Sequence, residues 1–412
     1  MKIFSLWVLV LLSTCADAQE LPKIKLKKGN WIAELALNDH DVLPFNLVVS
    51  QTIDGYSFMV ENGEEMIQLN QPEQKGDSLY VRFPFFNSML VFTADSKRSI
   101  NGYWVNFNKG KDYKIPFSSR KKRSQRFSLA KKKVMDTHLD GKWEVTFEPN
   151  TNSSYPAVGV FSQTKGKSEV SGTFLTETGD YRFLDGNIVG DSLFLSCFDG
   201  SHAFLFKAGI NQDGTLDGKF FSGKHWSSEW IGKRNENVEL KNPEELTYLI
   251  DGKDVAFQLK DMEGQDFTFP NENYEGKVTI IQIMGTWCPN CLDETKYFKE
   301  LYDKYHKDGL EIISIAYETG NTTEDYIKSV TRLRNKLNLN FTFLIGGPAR
   351  KNLASEHFDM LNEIISFPTT IFIDRNGEVK RIHTGFNGPG TGEYYTEYVR
   401  STNSLIENLL AQ

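Results

Sequence analysis

The sequence predicts a multidomain chain, with two repeated all-β modules of antiparallel barrel or sandwich type followed by an α/β domain. Three observations predict it. At 412 residues the chain exceeds what one ordinary core serves. From about residue 26 to 235 apolar residues alternate in short runs between turn residues, and that pattern occurs twice. From about residue 245 the period changes to strands alternating with helical segments. Charged residues at 25% and aromatics at 13% supply the apolar payload for packed cores, which excludes a disordered chain. The net charge of −7 gives a nucleic-acid partner no electrostatic support.

Residues 1–18 read as a signal peptide, outside the fold: Lys2, an apolar run from Ile3 to Leu12, then Ala16-Asp17-Ala18 as the cleavage site before Gln19. Leu12-Ser13-Thr14-Cys15 also resembles a bacterial lipobox, in which Cys15 would carry a lipid anchor. The apolar run, about ten residues, is too short to span a bilayer. The expected location is therefore the periplasm or cell envelope of a bacterium. Export leaves Cys197, Cys288 and Cys291, too few for a disulfide-stapled scaffold, so the close pair reads as chemical. A zinc site would need a second ligand pair, and the histidines are scattered.

The first β-module spans 26–118, with strands expected near 31–37, 43–49, 56–60, 79–83, 90–93 and 103–107. The second spans 138–235. Gly29-Asn30-Trp31 matches Gly141-Lys142-Trp143 at an offset of 112 (141 minus 29). Gly76-Asp77-Ser78-Leu79 matches Gly190-Asp191-Ser192-Leu193 at 114 (190 minus 76), and Gly102 matches Gly218 at 116 (218 minus 102). The Gly-x-Trp opening resembles lipocalin-like barrels; Trp31 and Trp143 are expected as buried core residues. Cys197 falls opposite Phe83 in the repeat, an inward position where a thiol is inert. Between the modules, 119–137 is rich in Arg and Lys from Arg120 to Lys133 and reads as a solvated basic linker. A second polar linker covers 236–244.

In the last domain, 245–412, Val278 to Met284 reads as a buried strand, and Cys291, Thr295, Phe298, Tyr302 and Tyr305 share one helical face after it. Further segments follow: a strand at 310–316, a helix at 323–337, a strand at 341–345, a helix at 350–361, a hairpin of 369–374 with 379–384, and a terminal helix at 395–410. Trp287-Cys288-Pro289-Asn290-Cys291 sits at the strand-to-helix junction. A cysteine there meets unpaired backbone N–H groups and the helix dipole, which favour a thiolate, and a second cysteine one turn on completes a redox dithiol.

Three features together resemble the thioredoxin superfamily, and within it the exported thiol-disulfide oxidoreductases of the TlpA and ResA type. They are Gly276-Lys277 with the strand leading to Gly285-Thr286-Trp287-Cys288, the segment Phe367-Pro368-Thr369-Thr370 running on to Asp374-Arg375-Asn376-Gly377, and Glu294 three residues after the second cysteine. The resemblance implies a thioredoxin-like domain in which exposed Cys288 is the nucleophile and Cys291 resolves the mixed disulfide. Pro368 is then cis and sets the Phe367 backbone beside the sulfurs, while Trp287 and Phe367 border the substrate. Glu294 is expected as a proton carrier for Cys291, against the plainer reading of a solvated first-turn acid. Two positions depart from the family: Lys296 replaces a common proline and Met284 a common aromatic. The glycine-rich segment 385–392 reads as a surface loop bordering the groove.

The expected function is extracytoplasmic thiol-disulfide exchange, reducing protein disulfides through Cys288 and Cys291, with no cofactor beyond that redox-active pair and with a membrane-linked thiol as electron donor. A peroxiredoxin-like peroxidase is the alternative, but Gly285 and Ile281 stand where its P-x-x-x-T-x-x-C pattern needs Thr and Pro. A third reading gives the β-modules a ligand or envelope partner and makes the redox domain an accessory.

Overall fold

The computed structural model describes residues 24–53, 55–122, 125–128 and 138–412; the leader and Cys15 lie outside the described residues, as does most of the basic run after Ser128. Three sheets carry the chain.

The first module is one nine-stranded antiparallel sheet, ordered Glu65–Gln68, Gly55–Asn62, Val42–Thr52, Gly29–Ala36, Lys114–Arg120, Ser99–Asn106, Ser88–Ser96, Ser78–Arg82, Glu73–Lys75. Its first strand pairs with its last, and the two short end strands do not meet, so the sheet is an open half-barrel. Three of these strands escape the sequence reading for a physical reason. Glu65–Gln68 and Glu73–Lys75 are polar edges, and Lys114–Arg120 is interrupted by Pro116, which marks it down as a strand.

The second module closes. Strands Gly141–Phe147, Tyr155–Ser162, Glu169–Thr176, Leu184–Val189, Ser192–Phe198, Ala203–Ile210, Leu216–Ser222 and Trp226–Arg234 form an eight-stranded antiparallel barrel, because Tyr155–Ser162 pairs with both Gly141–Phe147 and Glu169–Thr176. Its interior is filled by aromatic rings: Phe206 stacks on Phe220 with centroids 4.2 Å apart and on Phe174 at 4.6 Å.

The repeat holds in atomic detail. Trp31 Nε1 donates to Lys27 O at 2.9 Å, and Trp143 Nε1 donates to Leu139 O at 2.9 Å, so each indole closes its own module. Gly102 and Gly218 fill equivalent sites where a Cβ would strike the neighbouring strand, 1.9 Å from Val91 O and 2.3 Å from Lys207 O. Cys197 is buried inside the barrel, and burial pushes its thiol well above the ordinary range.

The two modules share a core. Phe198 leaves the barrel wall and enters the open side of the half-barrel, with its ring 4.5 Å from Phe45, 5.1 Å from Trp104 and 5.4 Å from Phe83. Asn62 grips the same strand, donating to Phe198 O at 3.0 Å and accepting from Phe198 N at 3.1 Å. The solvated-linker reading of 119–137 is corrected here. Ser119 and Arg120 belong to a strand, and Arg126 is buried, donating to Ser196 O at 3.0 Å and Glu61 O at 2.7 Å and pairing with Asp185 at 3.2 Å. Arg126 spends its charge on the seam between modules, not on solvent.

In the C-terminal domain the elements run β1 (Phe257–Asp261), β2 (Asp266–Phe269), β3 (Val278–Met284), α1 (Pro289–Tyr305), β4 (Leu310–Glu318), α2 (Thr323–Leu337), β5 (Thr342–Pro348), α3 (Lys351–His357), β6 (Thr369–Ile373), β7 (Val379–Thr384) and α4 (Glu393–Leu410). The sheet order is β2-β1-β5-β4-β3-β6-β7, with β3, β4 and β5 parallel and the flanking pairs antiparallel. Every residue of β3 is buried, as a central strand covered on both faces requires. A Thr322/Asp325 capping box starts α2 and Asn338 ends it in the left-handed region, φ 52°. The α3 helix stops at His357, short of the expected 361, because Leu361 turns out to bridge to Leu249. Among the described residues no helix is long and apolar enough to cross a membrane.

Because Phe198 completes a core it does not belong to, Phe198→Ala should cost about 3 kcal/mol or more. A lower urea midpoint with faster proteolysis of the first module is the expected result; an unchanged midpoint would show that the half-barrel core stands without it.

Candidate active site

The end of β3 delivers Cys288 to the N-cap of α1, with Pro289 at the first helical position, where a missing N–H costs nothing. Both site cysteines are free thiols. Cys288 Sγ accepts the Cys291 N–H at 3.3 Å and, through its own S–H, donates to Phe367 O at 3.6 Å. Cys291 lies a turn further in, fully buried; burial, then the Cys288 sulfur beside it, push its thiol well above the ordinary range. The pair therefore divides into an outer sulfur able to accept a backbone N–H and an inner sulfur kept protonated until a base is at hand.

Glu294 is such a group. It is fully buried, which excludes the solvated first-turn reading. It accepts from Gln282 Nε2 at 2.9 Å, Thr370 Oγ1 at 3.0 Å and Tyr398 OH at 3.0 Å, donors from β3, β6 and α4. Burial nevertheless pushes its carboxyl up to about 7. A second buried carboxyl, Glu318 at the end of β4, was missed in the sequence. It accepts from Thr286 N at 2.6 Å and Thr286 Oγ1 at 2.7 Å, anchoring the turn that leads into Cys288, and burial raises it to about 7 as well. An acid at the end of a strand buried from Ile312 onward was the structural setting, and the sequence alone, with Glu311 in the same strand, did not single it out.

The Phe367–Pro368 peptide is cis. Trp287 donates through Nε1 to Tyr317 O at 2.9 Å and meets Phe367 edge-on at 6.2 Å, while Phe367 stacks on Tyr317 at 5.4 Å. The structure thus brings together Trp287, Cys288, Cys291, Glu294, Phe367 and Pro368. Among the described residues no group of three or more His, Cys, Asp or Glu is placed to hold a metal.

Two expectations fail. Cys288, expected exposed, is 9% exposed, and barrel residues bond to the segments on either side of it. Ser201 Oγ donates to Trp287 O at 2.8 Å, Asn290 Nδ2 donates to Asp180 O at 3.3 Å, and Ser366 Oγ donates to Thr178 O at 2.9 Å. The glycine-rich segment 385–392 is likewise no surface loop: Gly388 N donates to Asp180 Oδ2 at 2.6 Å and Phe386 is buried. Gly385, at φ +75°, lies where a Cβ would come 2.8 Å from Thr178 C.

The barrel residue Arg182 ties the three units together. Its guanidinium pairs with Glu65 of the half-barrel at 2.5 Å, with Asp199 of the barrel at 3.7 Å and with Asp293 of α1. Burial works against that charge, but the surrounding carboxylates outweigh it and hold Arg182 well above its ordinary value. Burial also pushes Asp293 up, yet Arg182 and Lys296 hold it below its ordinary value, whereas burial wins at Glu65 and Asp180, which are raised. Lys296, at the position departing from the family, reaches Asp293 at 2.9 Å and lies over the half-barrel's Phe85 ring at 5.5 Å.

Residues 252–382 match the AhpC/TSA family. The thiol-disulfide oxidoreductase ResA of Geobacillus kaustophilus is 33% identical over 129 residues, which are 31% of this chain and 66% of that protein. The chain thus spans just under two thirds of that relative's length. ResA of Bacillus thuringiensis subsp. konkukian is 30% identical over 153 residues, 36% of this chain and 76% of that protein. The crystal structure of a thiol:disulfide interchange protein of the thioredoxin family from Chlorobium tepidum overlays with a TM-score of 0.29 at 18% identity, covering 38% of this chain and 94% of that one.

Glu294 generates a pH prediction. Its pKa rises on folding from 4.5 to about 7, so the folded state holds the proton more tightly than the unfolded state. The stability it contributes is fully present below the lower value and lost as pH rises through the upper one, a swing of roughly 3 kcal/mol. Glu294→Gln should flatten the fall in unfolding free energy between about pH 5 and about pH 8, measured by urea titration. An identical fall in variant and parent would assign it to another group, Glu318 first.

Proposed function

The chain belongs, through its C-terminal domain, to the AhpC/TSA family of thioredoxin-like proteins with its ResA-type oxidoreductases, and from that premise we propose that it exchanges thiols and disulfides outside the cytoplasm, as a reductant of protein disulfides. The observation that carries this reading is the Cys288 sulfur, held between the Cys291 N–H and the Phe367 carbonyl at a helix N-cap.

The chemistry follows from that placement. Cys288 as thiolate attacks one sulfur of the substrate disulfide; a Cys288–S bond forms, the substrate S–S bond breaks, and the departing thiolate takes up a proton. Cys291 must then lose its proton. Glu294 lies one turn along the same helix, buried with a pKa near neutrality, and is the base of this reading. The Cys291 thiolate attacks Cys288 Sγ, the second substrate sulfur leaves as thiolate and is protonated, and the enzyme retains a Cys288–Cys291 disulfide. Two electrons pass to the substrate. A thiol donor linked to the membrane restores the dithiol, in keeping with an exported chain, whether the leader is removed at residue 18 or processed at a lipid-bearing Cys15. Phe367 and Trp287 flank the attacking sulfur and form the floor on which the substrate chain lies.

The reduction potential tests the direction. Equilibrating the protein in glutathione or dithiothreitol buffers and counting alkylated thiols by mass should give a value near thioredoxin's, about −270 mV. A value near about −120 mV would make the protein a disulfide donor instead. Cys291→Ser should trap a mixed disulfide on Cys288 with a cystine-containing peptide, visible as a mass adduct that thiols remove; no adduct would remove Cys288 from the role of nucleophile.

A further inference from the structure

Resting on the oxidoreductase reading of the dithiol, we propose that the closed barrel is a wall of the substrate site and Arg182 its latch, so that Cys288 admits disulfides on slender, extended chains and excludes those set in a folded surface. The barrel does not touch the redox domain on a remote face. Its contacts surround the nucleophile: Ser201 holds the carbonyl of the residue before Cys288, Asp180 holds the side chain of Asn290 two residues after it, and Thr178 holds Ser366 on the segment across from it. The barrel segments 178–182 and 199–202 therefore stand beside the sulfur that a partner disulfide has to reach.

The fit is built into the backbone. A Cβ on Gly179 would lie 2.4 Å from Asn290 Nδ2, and one on Gly385 would lie 2.8 Å from Thr178 C, so the barrel turn and the glycine-rich segment approach as closely as only glycine allows. Hydrogen bonds from the barrel to the segments flanking Cys288 recur along this contact, and domains of one chain that meet through such contacts commonly move relative to one another. What holds it shut is Arg182, which joins Glu65, Asp199 and Asp293 and so engages the half-barrel, the barrel and the redox helix at once. Removing one partner from a buried ion pair leaves the others uncompensated, which makes Arg182 the residue whose loss opens the wall.

Access is read directly, whether or not the pair exchanges electrons, by alkylating the full chain in a Cys291→Ser background and following Cys288 by peptide mass. The two reagents are N-ethylmaleimide and the same maleimide carried on a polyethylene glycol chain, which differ only in bulk. Relative to their rate ratio on the urea-unfolded chain, the bulky reagent should lag by at least about tenfold on the folded protein, and Arg182→Gln should abolish that lag. Glu65→Gln, which weakens the same latch from the half-barrel side, should reduce it, and is the deciding variant if Arg182→Gln lacks a cooperative thermal transition. A folded protein with the unfolded ratio, or a lag that survives in the deciding variant, overturns the proposal. Either result leaves the reduction potential of the dithiol to be judged separately.

Discussion

One guanidinium holds this molecule's three parts in register. Arg182 is buried among Glu65, Asp180, Asp199 and Asp293, four carboxyls gathered around one guanidinium, with Lys296 beside Asp293 at the edge. Such a cluster is not neutral if every acid is ionised, and the chain settles the imbalance unevenly. Asp293 and Asp199 stay below their ordinary values while burial raises Glu65 and Asp180. The lowered acids lie on α1 and in the barrel, so favourable charge pairing, that with Arg182 included, outweighs burial on both sides of the seam between barrel and redox helix.

The redox chemistry depends on the same economy of burial. Cys291, Glu294 and Glu318 lie in a region without solvent, where each charged form is disfavoured and each proton move needs a partner. Glu294 meets that condition through three neutral donors from three different elements, which gives it a carboxylate form stable enough to exist and a neutral form stable enough to compete. The inner cysteine and its acid are consequently matched by environment, not by contact with water.

Much of this was legible in the sequence, and the limits have physical causes. The dithiol was legible from local spacing, a strand end and one helix turn, whereas Glu294 and Pro368 were singled out by the resemblance to the thioredoxin superfamily. The module repeat was legible because Gly29 and Gly141 sit at φ of 109° and 110°, a backbone demand that preserves glycine before each Trp. Arg182 and Arg126 were not legible. Each lies in a polar stretch that reads as solvent-facing, and its burial depends on a second unit more than fifty residues away in sequence. The low exposure of Cys288 was not legible either: Thr178, Asp180 and Ser201, which bond to the segments beside it, belong to the barrel module.

The open side of the half-barrel carries a consequence for biosynthesis. A chain made from its N-terminus would complete all nine strands of the first sheet before the strand Ser192–Phe198 that fills its core exists. During that interval the sides of Phe45, Phe83 and Trp104 that meet Phe198 lack their cover, and a nascent sheet with an exposed aromatic face is a target for chaperones and for aggregation. The order of the modules along the chain thus imposes a waiting period on the first, ended only when the second has been synthesised and has closed.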